Sequence, residues 1–171
     1  DASLALTTTP KWTSNSRLGN GAYSFIPGKI IDLQKSKLGT LNTCSISFWR
    51  KRSAAGSWLP FSNVATGGSS YIMATSGGTG AFYHSGIGTA SIIYKDGAVS
   101  TTPANDDLWH HYCIINVDLS TWSGLYINAY QQISDATWQI RGSLDDIRIY
   151  SSNLTAAQVQ ELYQTRASLD D

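Results

Sequence analysis

Acid–base chemistry needs paired carboxylates, and this chain is poor in them. Of its 12 acidic residues 11 are Asp and one, Glu161, is Glu. Glycoside hydrolysis requires two carboxyl groups about 5 to 9.5 Å apart across the scissile bond. Asp145 and Asp146 are adjacent in a strand-like run, where successive side chains point to opposite faces, so they are not expected to meet one substrate. Nucleophilic catalysis finds no Gly-x-Ser-x-Gly turn, and His84, His110 and His111 stand in no recognisable triad context. His110 and His111 alternate across a predicted strand, one inward and hydrogen-bonded and the other at the surface, which opposes a shared metal. Cys44 and Cys113, 69 residues apart, match neither a metal spacing nor a disulfide framework; two buried thiols and one long-range bridge both fit. Gly28-Lys29 is followed by Ile and lacks the upstream glycine of a phosphate loop. No enzymatic activity is expected.

Recognition chemistry is better supplied. Sugar rings stack their apolar faces on indoles and phenols, while their hydroxyls seek neutral donors and acceptors. The chain holds 39 Ser and Thr and 19 aromatic residues. Trp122, at a predicted hairpin tip in Leu119–Gly124, and Trp58, after Gly56-Ser57, are the leading candidate contacts for a glycan or protein partner. Tyr71, Tyr83 and Tyr130 follow. The competing use of the same side chains is packing of loops against the body of the fold, or burial in an interface. Trp49 and Trp109 lie in predicted strands and are assigned to the core.

The 171 residues carry 12 Lys and Arg against 12 Asp and Glu, a net charge of zero, and charged residues make up only 14%. Nucleic-acid binding leaves a basic footprint that neutralises phosphates. The one basic run here, Arg50-Lys51-Arg52, is too short for that and reads as a strand edge or a pair of salt bridges. No run approaches the roughly 18 apolar residues of a membrane span, and no signal-peptide pattern opens the chain. It begins at Asp1 rather than Met, so a domain of a larger protein is expected.

The elements that must position these residues are short. Strand-like runs at Cys44–Arg50, Tyr71–Ala74, Gly80–Tyr83, Ser91–Tyr94, His111–Val117, Gly124–Ala129 and Asp145–Tyr150 are separated by Gly, Ser, Asn and Asp clusters. Lys95-Asp96-Gly97-Ala98 predicts a two-residue hairpin, because Asp-Gly accepts positive φ. Without alternating helices, the pattern predicts an all-β antiparallel sandwich or jelly roll, a single domain over residues 1–171. One helix is announced near the end: Thr155 and Gln158 form a capping box, and Leu154 can staple against Val159. If Ile147 and Ile149 face the core, alternation also puts Asp145 inward, where it must be hydrogen-bonded, and Asp146 outward beside Arg148.

Gly142-Ser143-Leu144-Asp145-Asp146-Ile147-Arg148-Ile149-Tyr150, then Asn153-Leu154-Thr155 and Gln160-Glu161-Leu162-Tyr163, resembles the C-terminal signature of laminin-G-like, concanavalin A-like jelly-roll domains. Cys44 to Trp49, Leu108 to Tyr112 and Leu125 to Asn128 resemble that family's other landmarks, in the same order, over about residues 21–163. Asn128-Ala129 replaces the usual Asp-Gly, and Cys44 a usual Phe. The resemblance implies two packed antiparallel sheets and a glycan- or protein-binding module in an extracellular, bacterial-surface or virion protein, such as a phage tail or fibre. A purely structural virion component is the alternative. The family's glucanase relatives use closely spaced Glu residues on one strand, which this chain lacks. Family members also bind calcium through edge-loop Asp residues. Asp106 and Asp107 are the matching candidates here, with Asp96 and Asp118 behind them, against the simpler role of shaping the turn before Trp109.

Overall fold

The computed structural model describes residues 5–8, 11–14, 16–19, 21–25, 30–52, 60–63, 70–74, 83–88, 90–104, 106–127 and 142–167. Three nine-residue strands form its frame: β5 (Cys44–Arg52), β11 (Trp109–Val117) and β13 (Gly142–Tyr150). In β5 the residues Cys44, Ile46 and Phe48 face one way into the main core. Ser45, Ser47 and Trp49 face the other way, yet they too are buried. Both faces of this strand are therefore covered, which is why the alternation visible in its residues does not become alternating exposure.

Around β5, the strands β2 (Lys11–Thr13), β3 (Ala22–Phe25), β9 (Ile92–Lys95) and β10 (Ala98–Val99) complete a seven-stranded sheet in the order β10-β9-β11-β5-β13-β3-β2. The second sheet has the order β1-β4-β12-β6-β7-β8. Its strands are β1 (Ala5–Thr8), β4 (Ile30–Asp32), β6 (Phe61–Ser62), β7 (Tyr71–Ala74), β8 (Tyr83–Ser85) and β12 (Tyr126–Ile127). Every pairing is antiparallel. The chain is a β-sandwich with one C-terminal helix, as the turn-punctuated runs predict. Ile31, Phe61, Ile72 and Ile127 of one sheet meet Phe25, Ile46, Phe48 and Ile114 of the other in a common core. The rings of Phe48 and Phe61 touch edge to face across the gap, with centroids 5.5 Å apart.

The two strongest local signals take the expected form. Asp96 and Gly97 both have positive φ, 51° and 80°, and Lys95 pairs with Ala98 across the tight turn. Helix α1 (Ala156–Ala167) opens on the capping box: the Thr155 N–H donates to Gln158 Oε1 at 2.8 Å and the Gln158 N–H to Thr155 Oγ1 at 3.2 Å. Leu154 packs beside Val159, completing the staple.

One expectation is corrected and one open alternative is decided. β13 does not alternate throughout: Asp145 pairs with Trp49, the register then slips before Arg148 pairs with Ser47, and Asp146 sits at φ 45°. This β-bulge inserts one residue, so Leu144, Ile147 and Ile149 can all pack on the core while Asp145 turns to the opposite side. Of the two readings open for the cysteines, the buried thiols hold. Cys44 lies in the core between the sheets and Cys113 under α1, on opposite faces of one sheet, and both are free thiols. Burial, with a smaller push from Asp118, raises Cys44 to about 11, and burial raises Cys113 to about 12. The basic run forms the end of β5 itself, with Arg50 only 3% exposed.

Candidate functional site

Each sheet has an outer face, and the two are built differently. On the seven-stranded sheet, α1 lies over Tyr94, Cys113 and Ile115 through Val159. Farther along, Tyr163 covers the cross-strand pair Trp49 and His111, its ring 6.0 Å from each. The Arg17 guanidinium stacks 4.6 Å above the Trp49 ring. The backbone N–H groups of Arg17 and Leu18 both donate to Asp145 Oδ2 at 2.8 Å, and that of Asp146 donates to Asp145 Oδ1 at 2.7 Å. Asp146 in turn holds Arg148 at 2.8 Å and Arg166 of α1 at 3.5 Å. His111 Nε2 pairs with Ser47 Oγ at 2.9 Å, and burial drives its pKa down to about 4, so the ring is neutral. This face is closed by packing.

The outer face of the six-stranded sheet carries a row of polar and aromatic residues. Its register sets Asp32, Tyr126, Ser62, Tyr71 and Ser85 in one line across β4, β12, β6, β7 and β8. Their chain neighbours Ile31, Ile127, Phe61 and Ile72 point into the core, so alternation turns the line outward. Tyr126 and Tyr71 are half-buried, and Ser62 is sealed between them at 1% exposure. Two strand spacings separate the tyrosines at the backbone, about 10 Å. Gly124 has no side chain because a Cβ there would collide with the Tyr126 ring, which leans over it. Asp32 Oδ1 accepts the Gln34 N–H at 2.7 Å, which fixes the carboxylate at one end of the line. The result is two half-buried tyrosines on either side of a buried serine, with Asp32 at one end of the line and Ser85 at the other.

Of the aromatic candidates, Tyr71 stands on this line. Tyr83 begins β8, but its side chain lies outside the described residues, as do Trp58 and Tyr130. Trp122 is placed otherwise than as an exposed platform: it is 3% exposed, belongs to the core, and its indole N–H donates to the Gly86 carbonyl at 2.6 Å. That is the loop-packing use set against it in the sequence. Trp49 is buried, though beneath α1 rather than between the sheets, and Trp109 is half-buried at the start of β11. Tyr126 went unselected, although the run Leu125-Tyr126-Ile127 carries its signal: two apolar residues facing inward leave the tyrosine between them facing out.

The aspartates proposed for calcium have other uses. Asp106 Oδ1 accepts the Leu108 N–H at 3.1 Å and meets His110 Nε2 at 2.8 Å. His110 Nδ1 meets Asp96 Oδ2 at 2.6 Å, and the other Asp96 oxygen accepts the His111 N–H at 3.0 Å. Burial works against the charge of Asp106, but the Leu108 N–H, His110 and Lys95 hold its carboxyl below the usual range. Asp118 Oδ1 accepts the Ser120 N–H at 2.9 Å, and Asp107 is exposed. Among the described residues no three His, Cys, Asp or Glu side chains are grouped to hold a metal ion, and no helix is long and apolar enough to cross a membrane.

No family model matches the chain, and no curated protein matches it. Among solved structures it is similar to domain 4 of AbnA, a GH43 extracellular arabinanase from Geobacillus stearothermophilus, in complex with arabinotriose. That likeness has 17% identity and a TM-score of 0.49, over 95% of this chain and 87% of that one. It is also similar to the receptor-binding domain of botulinum neurotoxin type G, at 12% identity and a TM-score of 0.46, over 96% of this chain. The chain spans 46% of the length of that neurotoxin structure. At these scores neither likeness bears on function.

Proposed function

We propose that this chain is a non-catalytic recognition module of the laminin-G-like, concanavalin A-like type, carried by a larger surface or virion protein, and that it binds neutral glycans on the outer face of its six-stranded sheet. The observation that carries the reading is the line Tyr126, Ser62, Tyr71, flanked by Asp32 and Ser85. Tyrosines set two strands apart suit successive apolar sugar faces, and the Asp32 carboxylate and Ser85 hydroxyl at the two ends of the line suit sugar hydroxyls. Trp58, Tyr83 and Tyr130 are further candidates for the same role on sequence grounds.

A hydrolytic role draws no support from the acids. Asp145 is occupied by three backbone N–H groups and Asp146 by two arginines, and both lie on the helix-covered side. Glu161 is exposed on α1, across the thickness of the sandwich from the tyrosine line. A glycan array probed with the wild type, Tyr71→Ala and Tyr126→Ala tests the reading. Specific binding that either substitution reduces at least tenfold supports it. A silent array together with stable homo-oligomers in light scattering would replace it with a structural role.

A further inference from the structure

Among the described residues, the core of the sandwich is not closed at one corner. Five apolar side chains pack on it while staying partly exposed: Tyr23, Leu33, Leu38, Ile147 and Ile149. All five line a single cleft of about 350 Å³ between the sheets, entered beside β3 and β13 and floored by fully buried Ile31, Ile127 and Leu144. The bulge in β13 shapes this corner, because the extra residue at Asp146 brings Ile147 and Ile149 to the same side as Leu144, packed on the core yet partly exposed. Gly21 adds no side chain at the mouth.

We infer that this cleft is a binding site for a small, neutral, apolar molecule, distinct from the tyrosine face. Its size fits one: a cavity of about 150 Å³ accepts a benzene ring, so this one has room for a fused bicycle or a medium-length alkyl chain. Its chemistry excludes an ion, since the walls are hydrocarbon and phenol ring. Asp145 and Asp146 border it as residues, but their carboxylates are held on the helix-covered side, Asp145 by backbone N–H groups and Asp146 by Arg148 and Arg166. Its shape excludes a peptide, because two sheets packed about 10 Å apart leave a slot in which backbone N–H and C=O groups would find no partners. An apolar molecule loses only water there and gains close packing.

The test uses protein labelled with ¹³C at Ile and Leu methyls and titrated with indole, a neutral bicycle. Methyl signals of Leu33, Leu38, Ile147 and Ile149 are expected to shift saturably while those of Ile46 and Ile72 stay fixed. Indole-3-acetate, the same ring with a carboxylate, is expected to bind at least tenfold more weakly, because apolar walls leave its charge without a partner. Ile149→Trp, which fills the slot, abolishes the shifts, and Leu38→Phe, beside the short 3-10 turn at Lys35–Lys37, weakens them if the first variant does not fold. Wall methyls that stay fixed up to the solubility of indole would overturn the site. So would equal binding of the acid, or shifts that persist in a folded, filled variant.

Discussion

The two outer faces of the sandwich began from similar material and were put to opposite uses. Behind the seven-stranded sheet, Trp49, His111, Tyr94 and Cys113 would make an aromatic and polar surface, but α1 and residues 16–19 are laid across them until all four are buried. Behind the six-stranded sheet, Tyr126 and Tyr71 stay half-exposed beside Ser62 and Asp32. Aromatic residues on a strand therefore do not announce a binding face; what covers them decides. The helix converts one aromatic patch into stability and leaves the other available for recognition.

Four measurements would break or sharpen this contrast. Trp49→Ala removes a buried indole, its stack with Arg17 and its contact with Tyr163, and is expected to cost about 4 kcal/mol in chemical denaturation. A loss below about 1 kcal/mol would mean that α1 does not seal that face. Next in size is the pH dependence. His111 is held neutral with its pKa near 4, whereas the unfolded chain takes up the proton from about pH 6.5. Its contribution is therefore complete above pH 6.5 and falls by about 3 kcal/mol as the pH drops to 4. His111→Phe, with nothing to titrate there, should flatten that part of the stability profile; an unchanged slope would assign it to the carboxylates. Tyr71→Ala, on the tyrosine face, is expected to cost only about 1 kcal/mol while glycan binding falls, and a loss as large as that of Trp49→Ala would erase the difference between the faces. Smallest is Thr155→Ala, which removes the helix cap and should lower stability by about 0.5 to 1 kcal/mol with no change in binding by the tyrosine face.

How much of this could be read beforehand depended on how far away the deciding partner lay. The hairpin at Asp96-Gly97 and the cap at Thr155 are settled within four residues, and both were legible. Tyr126 was legible too, from the inward residues on either side of it. Trp122 was not, because the carbonyl that takes its N–H belongs to Gly86, 36 residues earlier. The bulge at Asp146 escaped alternation for a different reason. Ile147 and Ile149 by themselves set the phase expected for β13, leaving aside the doubled Asp145-Asp146 that breaks it from Leu144, and the pairing with β5 shows the slipped register that sends Asp145 to Arg17 and Leu18. The aspartates near His110 illustrate the same limit: Asp106 and Asp96 come from separate turns and meet only at that ring.

The position of β5 has a consequence for how the chain reaches this structure. Its side-chain bonds run forward to His111, 64 residues later, and to the backbone of Leu154, 109 residues later. A ribosome delivering the chain from its N-terminus has made β5 long before either of its neighbours, β11 or β13, exists. During that interval a hydrophobic strand offers two unpaired edges to any other copy, the circumstance in which chains aggregate. Arg50, Lys51 and Arg52 close that strand, and three like charges at its end set copies of it against one another until the proper partners arrive. The basic run thus sets like charge at the end of a strand that must wait for its partners.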